Sequence, residues 1–491
     1  MRRELLINAT PPETRVALTE DGRAVEVLHE RRGRQGLVGN VYLGRVHRVL
    51  PGMHAAFVAI GLDRDAFLYV QDVVPRTVEA YGEEKEDGGH TATDARIEDL
   101  LREGQDVVVQ VTKDPLAGKG PRVTANLALP GRTLVALPGA NGIGVSRRIT
   151  DEVERERLRR ILEGFGPGSG WIARTAARGA DVSEFQSDRR YLENLSVEIR
   201  RKAGNANAPA LLRRELDLAL RSVRDLVTPD FAAIRVDEPE TRDRVAEFLS
   251  AVEPQLVPRV ELYEEFEPLF ERFGIETELE NALKNRVPLR SGGSVVIHQT
   301  EALVAIDVNT GKFVGSDALE DTVFATNLEA VSEVARQIRL RDLGGILVVD
   351  FIDMEDPEHR REIFESFEAE LAKDRARTRL LQISEFGLVE ITRQRTRGNL
   401  EKTLTEACPS CDGTGRVKTD LSVALDLRRT LLAAANLYAP GETVRIRVRS
   451  SLAQLLSEEE PGLLPEIETR LNIKLDLIPD ETLPPAEYEI L

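Results

Sequence analysis

The chain has 491 residues, too many for one hydrophobic core, so three or more modules are expected. Its 41% apolar residues and 36 Gly fit a folded protein, and only two Cys exclude a disulfide framework, which points to a reducing cytoplasm. The net charge of −18 argues against a polyanion partner on average, yet residues 113–214 hold 19 Lys and Arg against 11 Asp and Glu, a basic island that would attract one locally.

The N-terminal stretch "MRRELLINATPPE" lacks the apolar run of a secretory signal, and no segment approaches the roughly 20 apolar residues that span a bilayer. "RRELLINATPPETRVALTEDGRAVEVLHERR" reads as two strands joined by the turn Glu20-Asp21-Gly22. From Leu37 to Thr124, short apolar runs alternate with Gly and show no helical period, which predicts a small Greek-key barrel. The charged, Gly-containing stretch at about 76–96 reads as a loop inserted in that barrel.

Residues 148–228 read as mostly helical, with apolar positions at 211, 212, 216, 220, 223 and 226. "SVVIHQTEALVAIDVN" reads as a hairpin, followed by a helix from about Asp317 to Leu343 that ends at Gly344-Gly345, with Asp317 and Glu320 at capping-box spacing. "GGILVVDFIDM" is continuous enough to suggest a strand buried on both faces. A further helix, a strand region "LLQISEFGLVEITRQRTRG" and a small acidic α/β tail from about Val417 complete the chain.

Two constellations carry chemistry. Residues i and i+2 of a strand face the same side, so Asp307 and Asn309 project together from "ALVAIDVN", and Asp350 ends "ILVVD". Carboxylates on apolar strands need a partner. Two such strand ends side by side would form an oxygen-rich cluster able to hold Mg²⁺ against a phosphate, as metal-assisted phosphodiester hydrolysis requires. Asp353 fits better as support for the following helix start. "DVNTGKF" is not a P-loop, because Ile306 stands where Gly is needed and Phe313 follows the Lys. The second constellation is "CPSCDGTG", where Cys408 and Cys411 provide half of a tetrahedral zinc site. Two copies of the chain, each giving one pair across a two-fold axis, would complete it.

"EALVAIDVNTG", "TNLEAVSEVARQIRLRDLGGILVVDFIDM", "EFGLVEITRQRTR" and "CPSCDGTG", in this order, closely resemble the bacterial RNase E/G family of endoribonucleases. The resemblance covers essentially the whole chain and implies an α+β multidomain fold. Residues 1–36 and 215–280 would form an RNase-H-like scaffold, 37–118 an inserted OB-fold RNA-binding barrel and 119–214 a 5′-monophosphate sensor. Residues 281–400 would be a DNase-I-like catalytic subdomain, 401–416 a zinc-link and 417–491 a small C-terminal dimerisation domain. Phe57 and Phe67 then correspond to stacking aromatics and Lys113 to a phosphate contact. Arg174 and Thr175 match the 5′-phosphate-binding pair, with Arg147 and Arg148 in the matching "SRRI" stretch. Asp307 and Asp350 match the Mg²⁺ ligands and Asn309 their orienting side chain, while Cys408 and Cys411 match the shared zinc link.

The implied activity is Mg²⁺-dependent endonucleolytic cleavage of single-stranded A/U-rich RNA, with preference for 5′-monophosphorylated ends, in rRNA processing and mRNA decay. The implied assembly is a homodimer, with pairing of dimers into tetramers left open. The chain stops at Leu491 without a long C-terminal arm, which points to the shorter G-type branch. The alternative from another class is a non-catalytic RNA-binding scaffold, disfavoured by the intact acidic cluster. A zinc-dependent hydrolase fails because the Cys pair lies apart from the carboxylates.

Overall fold

A computed structural model describes residues 1–31, 36–75, 78, 95–115, 119–166, 169–311, 319–381, 388–395 and 399–491. The expected insertion at about 76–96 and the expected helix start at Asp317 therefore fall almost wholly outside the described residues. The chain divides into two units, Met1–Thr403 and Leu404–Leu491.

The N-terminal segment forms three strands rather than two, Arg3–Ala9, Glu13–Glu20 and Arg23–Arg31. Pro11-Pro12 breaks the first run, and Thr10 and Glu13 close a turn around them through paired backbone hydrogen bonds of 2.9 and 3.2 Å. The expected second turn is present, with Asp21 at φ 48° and Gly22 at φ 79°, the left-handed pair that matches the twist of a two-residue hairpin. These strands share a sheet with Phe231–Val236 and Val260–Leu262, Arg3–Ala9 running parallel to Phe231–Val236. Leu5, Ile7, Val16 and Leu18 pack there against apolar residues of the helices Leu218–Leu226 and Pro239–Val252.

Between those two parts, Val41–Leu50, Ala55–Ala59, Ala66–Tyr69, Arg122–Thr124 and Asp106–Lys113 pair in that order, and the last closes onto the first. The result is a five-stranded barrel. A Cβ on Gly44 would lie 2.5 Å from Val58 Cγ1, so the crowded barrel interior there requires glycine.

Residues 148–228 are mostly helical, as expected, in Glu152–Glu163, Val182–Asn205 and Leu218–Leu226, with two short strands, Gly170–Ala173 and Ala210–Arg213, set among them. A four-stranded sheet of Leu129–Pro130, Leu134–Leu137, Ile143–Val145 and Gly170–Ala173 lies with the helices Glu152–Glu163 and Val182–Asn205. The apolar pattern at 211–226 is split between the strand Ala210–Arg213, which follows Pro209 and joins the barrel edge, and a helix capped by Asp217. Helical periodicity ran across this break because a four-residue strand supplies too few positions to disturb it.

The sheet that carries Asp307 has six strands in the order Arg286–Pro288, Ser294–Gln299, Leu303–Asn309, Gly345–Asp350, Leu388–Arg393 and Thr378–Leu380. The two central strands are parallel and their neighbours antiparallel. One face packs Val304, Ile306, Val308, Leu347 and Val349 against the helices Leu319–Leu340 and Pro357–Leu371. The other is open. Gly345–Asp350 is therefore not buried on both faces: Ile346 is 52% exposed, because helices cover the sheet on one side only. Asp317, the other half of the expected capping box, lies outside the described residues; the Glu320 carboxylate accepts from the Glu355 and Asp356 amides at 3.3 and 3.2 Å.

The second unit has a three-stranded sheet of Thr443–Val448, Lys474–Pro479 and Glu489–Ile490. Val444, Ile446 and Val448 pack there against Val423, Leu427 and Leu431 of the helix Asp420–Ala433. No helix among the described residues is long and apolar enough to cross a membrane.

Candidate active site and polyanion-binding surfaces

The parallel register pairs Asp307 with Asp350, and aligned residues on adjacent strands present side chains to one face. Both are exposed on the open face, with Asn309 beside them. The buried residues Ile306, Val308 and Val349 that alternate with them anchor the strands against the helices. Asn309 Nδ2 donates to Asp307 Oδ2 at 2.7 Å, which holds that carboxylate in one rotamer. A Cβ on Gly293 would meet the Asn309 carbonyl at 2.7 Å, so the hairpin can close against the strand end only with glycine there.

Burial and the charges of Asp307 and Asp353 push the Asp350 carboxyl up from the ordinary carboxylate range. Two ionised side chains a strand spacing of about 4.8 Å apart repel each other, and a divalent cation between them would relieve that repulsion. The donor set is all oxygen, and among the described residues no third His, Cys, Asp or Glu closes it into a cage. An oxygen donor set of this kind can take a hard cation such as Mg²⁺, which keeps waters and substrate oxygens in its shell.

Asp353 is not the helix-start residue. Asp356 caps the helix Pro357–Leu371, accepting from the Glu358 amide at 2.8 Å. Asp353 is instead exposed and close enough to bias Asp350. Buried Asn327 fixes this segment from the helix below, donating to the Ile352 carbonyl at 2.8 Å and accepting from its amide at 3.1 Å. The carboxylate three residues beyond Asp350 was the available signal.

On the barrel, strand register draws Arg48, Phe57, Phe67, Arg122 and Lys113 into one lateral row. Phe57 and Phe67 are half-buried and meet edge to face at 5.5 Å, and Phe67 meets Tyr69 at 4.5 Å. Arg122 lies 4.7 Å from the Tyr69 ring centroid. Arg48 and Lys113 are exposed. Aromatic rings interleaved with cations form a platform on which unpaired bases stack while phosphates meet positive charge. The family resemblance singled out Phe57, Phe67 and Lys113; the structure sets Arg48, Tyr69 and Arg122 beside them, of which Tyr69 was signalled by its i+2 spacing from Phe67.

Much of the basic island is spent on helix surfaces, where Arg157 pairs with Glu154, Arg159 with Glu156, Arg189 with Glu193 and Lys202 with Glu198. Arg147, Arg148 and Thr175 are exposed, and Arg174 is half-buried. Thr175 Oγ1 lies 3.0 Å from Ser146 Oγ, joining the "SRRI" and "ARTA" segments. Arg174 Nη2 donates to Asp225 Oδ1 at 2.8 Å, and its Nη1 to the Gly131 carbonyl. Buried Asp188 shapes the Gly131 turn, accepting from the amides of Arg132, Thr133 and Leu134 at 3.1, 2.8 and 2.8 Å.

In the second unit Cys408 and Cys411 are free thiols on a tight turn. Asp412, Gly413 and Gly415 all have positive φ, and the Gly415 amide donates to Cys411 Sγ at 3.3 Å. Hydrogen bonds from the Ser410 amide and from Cys411 hold the Cys408 thiol below its ordinary range, as suits a metal-binding thiolate. One chain supplies two sulfur donors of the four a closed zinc site needs.

The family model described as "Ribonuclease E/G family" matches residues 128–396, and one described as "RNase E/G, Thioredoxin-like domain" matches residues 407–491. The chain is 44% identical over 469 residues to a protein named Ribonuclease G of Escherichia coli K12, covering 95% of each. It is 40% identical over 489 residues to Ribonuclease G of Haemophilus influenzae, covering 99% of each. Ribonuclease E of E. coli K12 is 34% identical over 499 residues, spanning all of this chain but 46% of that protein.

Proposed function

The chain belongs to the ribonuclease E/G family, and from that premise we propose that it is an endoribonuclease that depends on Mg²⁺ and cuts single-stranded, A/U-rich RNA. It would leave 3′-hydroxyl and 5′-phosphate ends, prefer 5′-monophosphorylated RNA, and serve rRNA processing and mRNA decay in the cytoplasm. The observation that carries this reading is the register pairing of Asp307 with Asp350 on an open sheet face.

Asp307 and Asp350 would hold Mg²⁺, with Asn309 hydrogen-bonded to the Asp307 carboxylate to orient it. Bound there, the ion would offset charge developing on the scissile phosphate and lower the pKa of an attacking water. The row from Arg48 to Lys113 would stack unpaired bases on Phe57 and Phe67 and meet the backbone with its cations. Arg174 and Thr175, with Arg147 and Arg148 just beyond the strand that pairs alongside theirs, would receive a terminal phosphate, for which a guanidinium offers paired N–H donors.

In domain terms, residues 1–36 and 215–280 are the scaffold, 37–118 the barrel, 119–214 the sensor and 281–400 the catalytic subdomain. Residues 401–416 are the zinc-link and 417–491 the small dimerisation domain. Cys408 and Cys411 would share one Zn²⁺ with the same pair of a second copy.

The direct test incubates the purified chain with 5′-monophosphorylated RNA in Mg²⁺ and in EDTA. Cleavage in Mg²⁺ alone supports the reading, whereas RNA bound but uncut in both leaves a non-catalytic binding protein. Arg174→Ala is expected to bring the cleavage ratio of 5′-monophosphate over 5′-hydroxyl RNA close to one; an unchanged ratio refutes the sensor role. Cys408→Ser is expected to move sedimentation toward monomer, and an unaltered profile counts against a shared zinc.

A further inference from the structure

The helix Leu218–Leu226 is gripped at its C-terminal end from two sides. Asp225, in the last turn, forms a two-pronged pair with its neighbour: Arg224 Nε donates to Oδ1 and Nη2 to Oδ2, each at 3.0 Å. Arg224 is buried and pinned in turn by Glu215 Oε1 at 2.7 Å. The Asp225 carboxylate is thus held in one orientation, and its Oδ1 also accepts from Arg174 Nη2 at 2.8 Å. Burial pushes the Asp225 carboxyl up, but the hydrogen bonds from Arg224 and the charge of Arg174 outweigh it and bring it down to about 2. With the Gly131 carbonyl on Nη1, two of the five N–H donors of Arg174 hold the plane of its guanidinium.

The backbone of the same helix end meets a different part of the molecule. Arg375 Nη1 donates to the Asp225 carbonyl at 2.7 Å and Nη2 to the Leu226 carbonyl at 2.8 Å. These are orphan carbonyls of a helix terminus, where a cation also meets the negative end of the dipole. Next to Arg375, Asp374 accepts from Arg393 Nε at 2.6 Å, and Arg393 ends the strand that pairs with Gly345–Asp350.

We propose that Asp225 is a positioning residue for the terminal-phosphate site: its carboxylate orients Arg174, and its helix end, gripped by Arg375, ties that orientation to the strands that carry Asp350. The inference rests on Arg174 receiving the phosphate, as argued above.

The test measures kcat and KM for one oligonucleotide bearing either a 5′-monophosphate or a 5′-hydroxyl. Asp225→Asn keeps the shape and removes the charge. The monophosphate preference is expected to fall about tenfold, as when a hydrogen bond to a charged group is lost, while cleavage of the hydroxyl substrate changes less than about twofold. Asp225→Glu, which keeps the charge, is expected to restore part of the preference. Arg375→Gln is expected to lower kcat on the monophosphate substrate with little change in KM; a change in KM alone, or in neither constant, removes the link to the catalytic strands. An unchanged preference in Asp225→Asn overturns the proposal, as does an equal fall on both substrates without rescue by Asp225→Glu. Arg174→Ala separates the two layers. If it too leaves the preference intact, the phosphate site itself is wrong; if it alone abolishes the preference, only the role of Asp225 falls.

Discussion

Asp307→Asn is expected to lower RNA cleavage by about a thousandfold or more, the scale on which removal of a preorganised charge at a developing transition state is felt. The same change should leave RNA affinity nearly unaltered, because the stacking row and the basic segments are on other strands and turns. Thermal stability should not fall either. Asp307 is exposed, and its charge is one of those that push the Asp350 carboxyl up, so its removal relieves a repulsion. An Asn keeps the side-chain volume and can still hydrogen-bond with Asn309. Gel-resolved cleavage, filter binding and a thermal melt on the same preparation separate these effects. Retained cleavage refutes the assignment, and a lowered melting temperature would show that the carboxylate serves the fold.

The second large effect is on stability. Arg393 and Asp374 each have side chains only 5% exposed, and Arg393 Nη1 also donates to Asp342 Oδ1 at 2.6 Å and to the Leu343 carbonyl at 2.8 Å. Burial lowers the Arg393 pKa, but hydrogen bonding and charge from Asp374 and Asp342 more than offset this and raise it. Arg393→Ala strands the Asp374 carboxylate without its main partner and should destabilise by about 3–5 kcal/mol. Arg428→Ala, which breaks the far more open pair with Glu466, should shift stability far less, because water screens that pair. Urea denaturation reads both. A midpoint for Arg393→Ala close to that of Arg428→Ala would show that the buried network does not hold the sheet to the turn before Thr378.

The acidic pair was legible in the sequence because ionised groups rarely end apolar strands without a ligand or a counter-charge, and Asp307 and Asp350 each do so, with the polar Asn309 two residues from the first. Register was not legible, and register is what sets Asp307 opposite Asp350 on one neighbouring strand and opposite Val296 on the other. The open face was also hidden. "GGILVVD" is apolar at every position but the last, so nothing in the run distinguishes the helix-covered Leu347 and Val349 from the exposed Ile346. Asp353 was assigned to the helix start from composition, whereas Pro357 at the first helical turn selects the residue before it, Asp356. The barrel was readable from its short strands, yet Arg48 joins the aromatics only through its alignment with Phe57, and Arg122 only through a parallel pairing with Phe67 that spans a long stretch of intervening chain. At 211–226 a helical period masked the short strand Ala210–Arg213, which joins the barrel edge.

Direct metal binding tests the central claim most sharply. Mn²⁺, a paramagnetic stand-in for Mg²⁺, can be titrated into the full chain and into an Asp307→Asn, Asp350→Asn double variant, and followed by electron paramagnetic resonance. The wild-type chain should bind Mn²⁺ saturably and release it to excess Mg²⁺, and the double variant should lose that binding while remaining folded. Equal binding by both chains would contradict the account.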